Sequence, residues 1–171
     1  MADATRALRD AVSSLGWVPV DRLHLTLKFL GDLPSESLPG LREAAHTAIE
    51  GASRHEVSVG GIGAFPNLGR PRVVWMGMQD TTSLVAIAGA LDQAAVSFGV
   101  AAEARPFRPH VTLARVKAPL TPAQGAILAQ RAREIRVRLR VPVHEVALMQ
   151  STLGAGGSRY ESLATFPLQG R

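Results

Sequence analysis

His24-Leu25-Thr26-Leu27-Lys28-Phe29-Leu30-Gly31 and Phe107-Arg108-Pro109-His110-Val111-Thr112-Leu113-Ala114-Arg115 carry one pattern twice: His, apolar, Thr, Leu. The two histidines stand 86 residues apart in a chain of 171. A self-similar element at about half-chain spacing predicts two related lobes. Each copy alternates with the period of a strand, so strands are expected over 24–30 and 110–115. Strand side chains alternate faces, which puts His24 with Thr26 and His110 with Thr112 on polar faces opposite the Leu and Val residues. Under pseudo-twofold symmetry the two His-Thr pairs face each other across one cleft.

The flanking sequence supplies the rest of each lobe. Helices are expected over Asp3–Leu15, Ser35–Glu50 and Thr81–Phe98, and from Pro122 to about Arg133. Strands are expected over 55–60 and 72–78 around a Gly/Pro/Asn-rich loop at 61–71. Further strands lie within 136–149, broken at Pro142, and over 160–168 beyond a Gly-rich turn at 153–158. The mixed order with hairpins predicts an α+β fold. It reads as a single domain over 1–171 with two pseudo-symmetric lobes. Each lobe is an antiparallel sheet with helices outside, and the lobes surround a central cleft.

Composition narrows the classes. Hydrophobic residues are 46% and charged residues 19%, which excludes a disordered chain. With no Cys, disulfide frameworks, thiolate metal sites and Cys nucleophiles are excluded. No apolar run approaches the roughly 18 residues that span a bilayer, and no signal-peptide core follows the N-terminus. A cytoplasmic monomer without a membrane partner is expected. The net charge of +5 is regional. Residues 105–140 hold nine Arg or Lys against one acid, Glu134, whereas residues 1–104 hold eight basic and eleven acidic residues. An anionic partner fits that distribution, although an Arg-rich composition (17 Arg, 2 Lys) also follows from base composition alone.

Two histidines suit displacement at phosphorus. Imidazole titrates near pH 6.5, so one ring can be a neutral base while its partner is a protonated acid. The Thr hydroxyls can donate to non-bridging phosphate oxygens, and Arg115 can stabilise their charge. A symmetric motif alone does not orient acid and base.

These residues resemble the two-histidine phosphoesterase superfamily, and most of all the bacterial and archaeal RNA 2′,3′-cyclic phosphodiesterases, also called 2′-5′ RNA ligases. Trp17-Val18-Pro19 with His24–Gly31, Gly63–Val74, Phe107–Arg115 and Ser151–Leu168 carry the resemblance over nearly the whole chain. It implies an enzyme, a phosphoric diester hydrolase that opens an RNA 2′,3′-cyclic phosphate to a 2′-phosphomonoester without metal or other cofactor. By that resemblance His24 is the proton donor and His110 the proton acceptor, with Thr26, Thr112 and Arg115 on the phosphate. The expected partner is RNA or an oligonucleotide with a cyclic phosphate end. Members of the family begin with a strand before the first helix. This chain starts at what reads as that helix, so either the first strand is missing, which would leave one lobe with an open edge, or the start is a downstream Met.

Other residues divide between binding and ordinary structure. Phe29 and Phe107 flank the histidine segments and can stack a base or pack in the core. Arg70 and Arg72 adjoin the Gly-rich loop and can reach substrate or remain on the surface. Arg136, Arg138 and Arg140 share one strand face, either solvated or an RNA track. His46, His55 and His144 have no neighbours at metal-ligand spacing. No Walker A sequence supports an ATP-dependent ligase. Two alternatives to RNA-end hydrolysis stay open. One is a non-catalytic RNA-binding module on the basic region. The other is the same chemistry on small cyclic nucleotides or in 2′-5′ RNA ligation.

Overall fold

Helix and strand boundaries follow the spacing of apolar residues. The computed structural model describes residues 2–136, 138–154 and 157–170. Along them run α1 (Ala2–Ala11), β1 (Gly16–Trp17), α2 (Leu38–Ile49), β2 (His55–Phe65), β3 (Val73–Gln79), α3 (Thr82–Val96), β4 (His110–Arg115), α4 (Pro122–Glu134), β5 (Arg138–Val143), β6 (Glu145–Gly154) and β7 (Gly157–Pro167). The class is α+β, as expected. The chain divides into two compact units. The first is Met1–Thr26, Val57–Thr81 and Arg108–Val141; the second is Leu27–Glu56, Thr82–Phe107 and Pro142–Arg171.

The first unit is built on a five-stranded sheet of order β1-β4-β3-β2-β5. The pairs β1/β4, β3/β4 and β2/β3 are antiparallel. Leu8, Val12 and Leu15 form the apolar stripe of α1 and the turn after it. They pack with Val74 of β3, Ala114 of β4 and Leu128 of α4. Helix α4 starts where the sequence places it, because Thr121 and Gln124 satisfy each other's backbone N–H. The Thr121 hydroxyl accepts at 3.2 Å and the Gln124 carboxamide at 2.9 Å. Pro142 lies within β5 at the sheet's edge, where a missing N–H is tolerated. The strand break falls at His144 instead of Pro142.

Two further expectations are corrected by the structure. The strand over 24–30 does not form. Only Leu25 pairs, in an isolated antiparallel bridge to Val111. A 3-10 turn at Val20–Arg22 enters the segment, and Leu27 already packs in the second unit's core, so the chain leaves β4 after one contact. The loop expected to start at Gly61 begins later, because β2 continues to Phe65. Gly61, at φ +71°, sits in a bulge that the ladder steps over between Gly60 and Ile62. Glycines that read as loop are bulge and close-contact residues within a strand.

In the second unit α2 buries Leu41, Ala45 and Ile49, one residue per turn. Ala45 and Ile49 meet Ile87 of α3, Phe166 of β7 and Leu168. Strands β6 and β7 pair antiparallel; Ala155 and Gly156 of the expected Gly-rich turn lie outside the described residues. Lys28 fastens this unit. Its ammonium donates to Asp92 Oδ1 at 2.5 Å and to the Ala101 carbonyl at 2.8 Å. The Glu103 N–H donates to the same carboxylate at 3.1 Å. The hydrogen bond from Lys28 holds the Asp92 carboxyl below its ordinary value of 3.8.

Two outcomes follow from this packing. Leu128 is 0% exposed, so Leu128→Ala should cost about 2–5 kcal/mol in urea unfolding. A depressed carboxylate contributes stability above its unfolded pKa and loses it as pH falls through the folded one. Asp92→Asn should therefore unfold more readily than the parent at neutral pH, with the gap closing in acid. Parallel denaturant titrations at both pH values check this.

Candidate active site

Burial along β4 reveals how the site is built. His110 and Thr112 are half-buried, Val111, Leu113 and Ala114 are buried, and Arg115 is exposed. Strict alternation would put Ala114 with the histidine and Arg115 with the core. A bulge intervenes. Val74 pairs with Ala114 and Trp75 with Thr112, so Leu113 has no partner on β3. Leu113 and Ala114 consequently both enter the core, and Arg115 returns to the face of His110 and Thr112. Among the described residues no carboxylate pairs with the Arg115 guanidinium.

The first motif reaches the same face through the Leu25–Val111 bridge. Leu25 and Val111 are the middle residues of the two His-x-Thr segments. Antiparallel register about that bridge sets His24 opposite Thr112 and Thr26 opposite His110. The expected pseudo-twofold relation is thus local, centred on one bridge, and all four residues belong to the first unit. The histidines occupy diagonal positions, for which ordinary antiparallel spacing is about 7–8 Å. Such a span accommodates one phosphate group with an imidazole on either side.

Both rings are oriented in the same way. Nδ1 of His24 lies 2.8 Å from the Arg22 carbonyl, and Nδ1 of His110 lies 2.7 Å from the Arg108 carbonyl. A carbonyl only accepts, so each Nδ1 carries the proton and donates it. In the neutral ring this leaves the lone pair on Nε2. His55 makes the same contact with the Ser53 carbonyl at 3.0 Å, but its Nε2 is buried. His46 lies on α2 beside Phe166, with ring centroids 6.4 Å apart, and His144 is exposed between β5 and β6.

Two aromatic residues that the sequence reading did not single out stand at His110. Phe65 of β2 meets it edge-on, with centroids 5.1 Å apart and planes at 83°, and Trp75 of β3 lies at 6.3 Å. Reading 61–71 as a loop hid the alternation that puts Phe65 in a strand. The period-two pattern of Val73, Trp75 and Gly77 was the available signal.

The remaining candidates are dispersed. Arg72 is exposed at the head of β3. Its N–H donates to the Phe65 carbonyl, and its own carbonyl accepts from Val116. Arg70 donates its N–H to the Asn67 side chain at 3.0 Å. Phe29 and Phe107 belong to the second unit. Phe29 is 77% exposed, so it is no core residue, and Phe107 is half-buried. Arg136, Arg138 and Arg140 are exposed, and Arg138 donates to Gln79. Among the described residues no group of three or more His, Cys, Asp or Glu is placed to hold a metal ion, and no helix is long and apolar enough to cross a membrane.

Comparison with known proteins finds relatives over most of the chain. Residues 2–155 fit the family model described as the 2′-5′ RNA ligase superfamily. An RNA 2′,3′-cyclic phosphodiesterase of Methanothermobacter thermautotrophicus is 32% identical over 161 residues, covering 94% of this chain and 86% of the relative. One from Thermus thermophilus is 36% identical over 164 residues, covering 91% and 77%. Among solved structures, a Thermus thermophilus protein superimposes with a TM-score of 0.76 at 30% identity, over 99% of this chain and 94% of that one. Escherichia coli LigT complexed with 3′-AMP gives 0.72 at 26% identity, over 97% and 90%. With its paired His-x-Thr segments joined at one bridge, the chain belongs to the 2′-5′ RNA ligase superfamily.

Proposed function

We propose that this chain hydrolyses RNA 2′,3′-cyclic phosphate ends to 2′-phosphomonoesters by acid–base catalysis between His24 and His110. One observation carries the reading. Two imidazoles, each with Nδ1–H held by the carbonyl two residues earlier, occupy diagonal positions about the Leu25–Val111 bridge. Relatives named RNA 2′,3′-cyclic phosphodiesterase, 32% and 36% identical over most of the chain, support the substrate class.

The step runs as an in-line displacement. Nε2 of neutral His110 takes a proton from water as the water oxygen bonds to phosphorus. The bond from phosphorus to the 3′ oxygen breaks, and Nε2 of protonated His24 gives that oxygen its proton. The phosphate stays on the 2′ oxygen. The rings end with exchanged protonation, which solvent resets. Thr26 and Thr112 donate to the non-bridging oxygens, and Arg115 offsets the charge that grows on them. The assignment of donor to His24 and acceptor to His110 follows the family resemblance. Phe29 and Phe107 remain candidates for base contact, and Arg72 for contact with the RNA strand. A nucleotide-sized substrate is also consistent with the 3′-AMP complex of Escherichia coli LigT.

The decisive assay is incubation with an oligonucleotide ending in a 2′,3′-cyclic phosphate. Formation of a 2′-phosphomonoester is expected, whereas binding without product would make the chain an RNA-binding module. His24→Ala and His110→Ala should each lower turnover by about 10²–10⁴, and full activity in either would overturn the mechanism. Turnover should follow a bell-shaped pH profile and be insensitive to EDTA, because both proton transfers are assigned to imidazoles. In ¹⁵N spectra above their titration range, His24 and His110 should both appear as Nδ1–H tautomers. An Nε2–H signature at either would contradict the orientation described above.

A further inference from the structure

We propose that Phe65 and Trp75 are positioning residues for His110. This rests on the reading of His110 as a proton-transferring group. One hydrogen bond, from Nδ1–H to the Arg108 carbonyl, orients the ring but does not by itself keep it from tilting off that contact. Tilting would swing Nε2 away from the reacting water. A second contact on the ring removes that freedom, and Phe65 supplies it. The 5.1 Å separation and 83° angle between planes fall within the edge-to-face arrangement that aromatic rings prefer.

Phe65 is itself backed by Trp75, with centroids 5.3 Å apart and planes at 39°. The indole in turn rests on a floor made by glycine. In the sheet register Trp75 stands between Gly63 of β2 and Thr112 of β4. A Cβ on Gly63 would come within 2.3 Å of the indole's six-membered ring. A Cβ on Gly77, the register partner of His110, would come within 3.2 Å of it. Side chains at these positions would lift the indole from the sheet and push Phe65 and the imidazole with it.

The indole N–H supports this account. Nε1 of Trp75 is buried and has no hydrogen-bond partner among the described residues. Buried donors are nearly always satisfied, so an orphan N–H calls for a reason. Here the ring occupies the position that braces Phe65 and His110 and forgoes its own hydrogen bond. The chain of contact is Gly63, Trp75, Phe65, His110. Neither aromatic residue takes part in bond making; both act through the imidazole.

The test uses kinetics on a 2′,3′-cyclic mononucleotide together with ¹⁵N spectra of His110. Phe65→Leu and Trp75→Leu should lower kcat by about 10–100-fold, the scale of ångström misplacement, with KM little changed. Phe65→Tyr and Trp75→Phe should restore most of the loss. In the Leu variants the neutral His110 signal should change from one Nδ1–H tautomer to a mixture with Nε2–H. Gly63→Ala, which displaces the indole without deleting a ring, should shift kcat and spectrum in the same direction. Leu variants with parental kcat and a single tautomer would overturn the proposal. So would a loss of kcat with an unaltered His110 spectrum, because the rings would then act by another route. If cyclic phosphates are not turned over at all, the hydrolytic reading fails, and the spectra still decide whether the rings orient His110.

Discussion

One antiparallel bridge, Leu25 to Val111, sets the relation between the two histidines. Val111 is a core residue of β4, and its strand is held on the other side by β3. Everything that defines the position of β4 therefore also defines His110, Thr112 and the point at which Leu25 docks. The helices α1 and α4 enter through the same residues, because Leu8, Val12 and Leu128 pack on Ala114. The candidate site is a direct extension of that core: the buried residues of β4 pack with the helices, and His110 and Thr112 between them lie on the opposite face.

The second motif was legible in the sequence because it is a complete strand that alternates from His110 to Leu113 and has a core on one side. Its boundaries, His110 to Arg115, agree with the structure. The start of α4 was legible for a similar reason, since Pro122 at the first helical position is a local signal; the capping box of Thr121 and Gln124 comes from the structure. The first motif misled. His24 to Leu30 has the composition of a strand, but whether a strand forms depends on a partner, and the chain leaves β4 after Leu25. Composition reports that a segment can pair and not where its pairing ends.

Glycine was the other source of error. The run Gly61-Ile62-Gly63 has the look of a loop, because local sequence does not reveal that an indole needs the space above Gly63. With that run taken as loop, Phe65 lost its strand and its face, and the aromatic support of His110 went unnoticed. Arg115 is the opposite case. The motif singled it out through chemistry, while a simple period-two reading would have buried it. Only the pairing of Val74 and Trp75 with Ala114 and Thr112 accounts for its exposure.

That unpaired Leu113 acts as a phase shift in the strand. Before it, odd-numbered positions point to the core and even-numbered ones to solvent; after it, the parity is reversed. The reversal belongs to the register against β3, in which Leu113 is passed over. Were Leu113 instead to pair with Val74 in regular register, Ala114 would join the face of the histidines and the guanidinium would turn into the apolar interior, with both histidines left in place. The spacing from Thr112 to Arg115 is thus a structural quantity in its own right. Three residues on from Thr112, Arg115 reaches the face of His110 only because the bulge takes one residue out of the alternation.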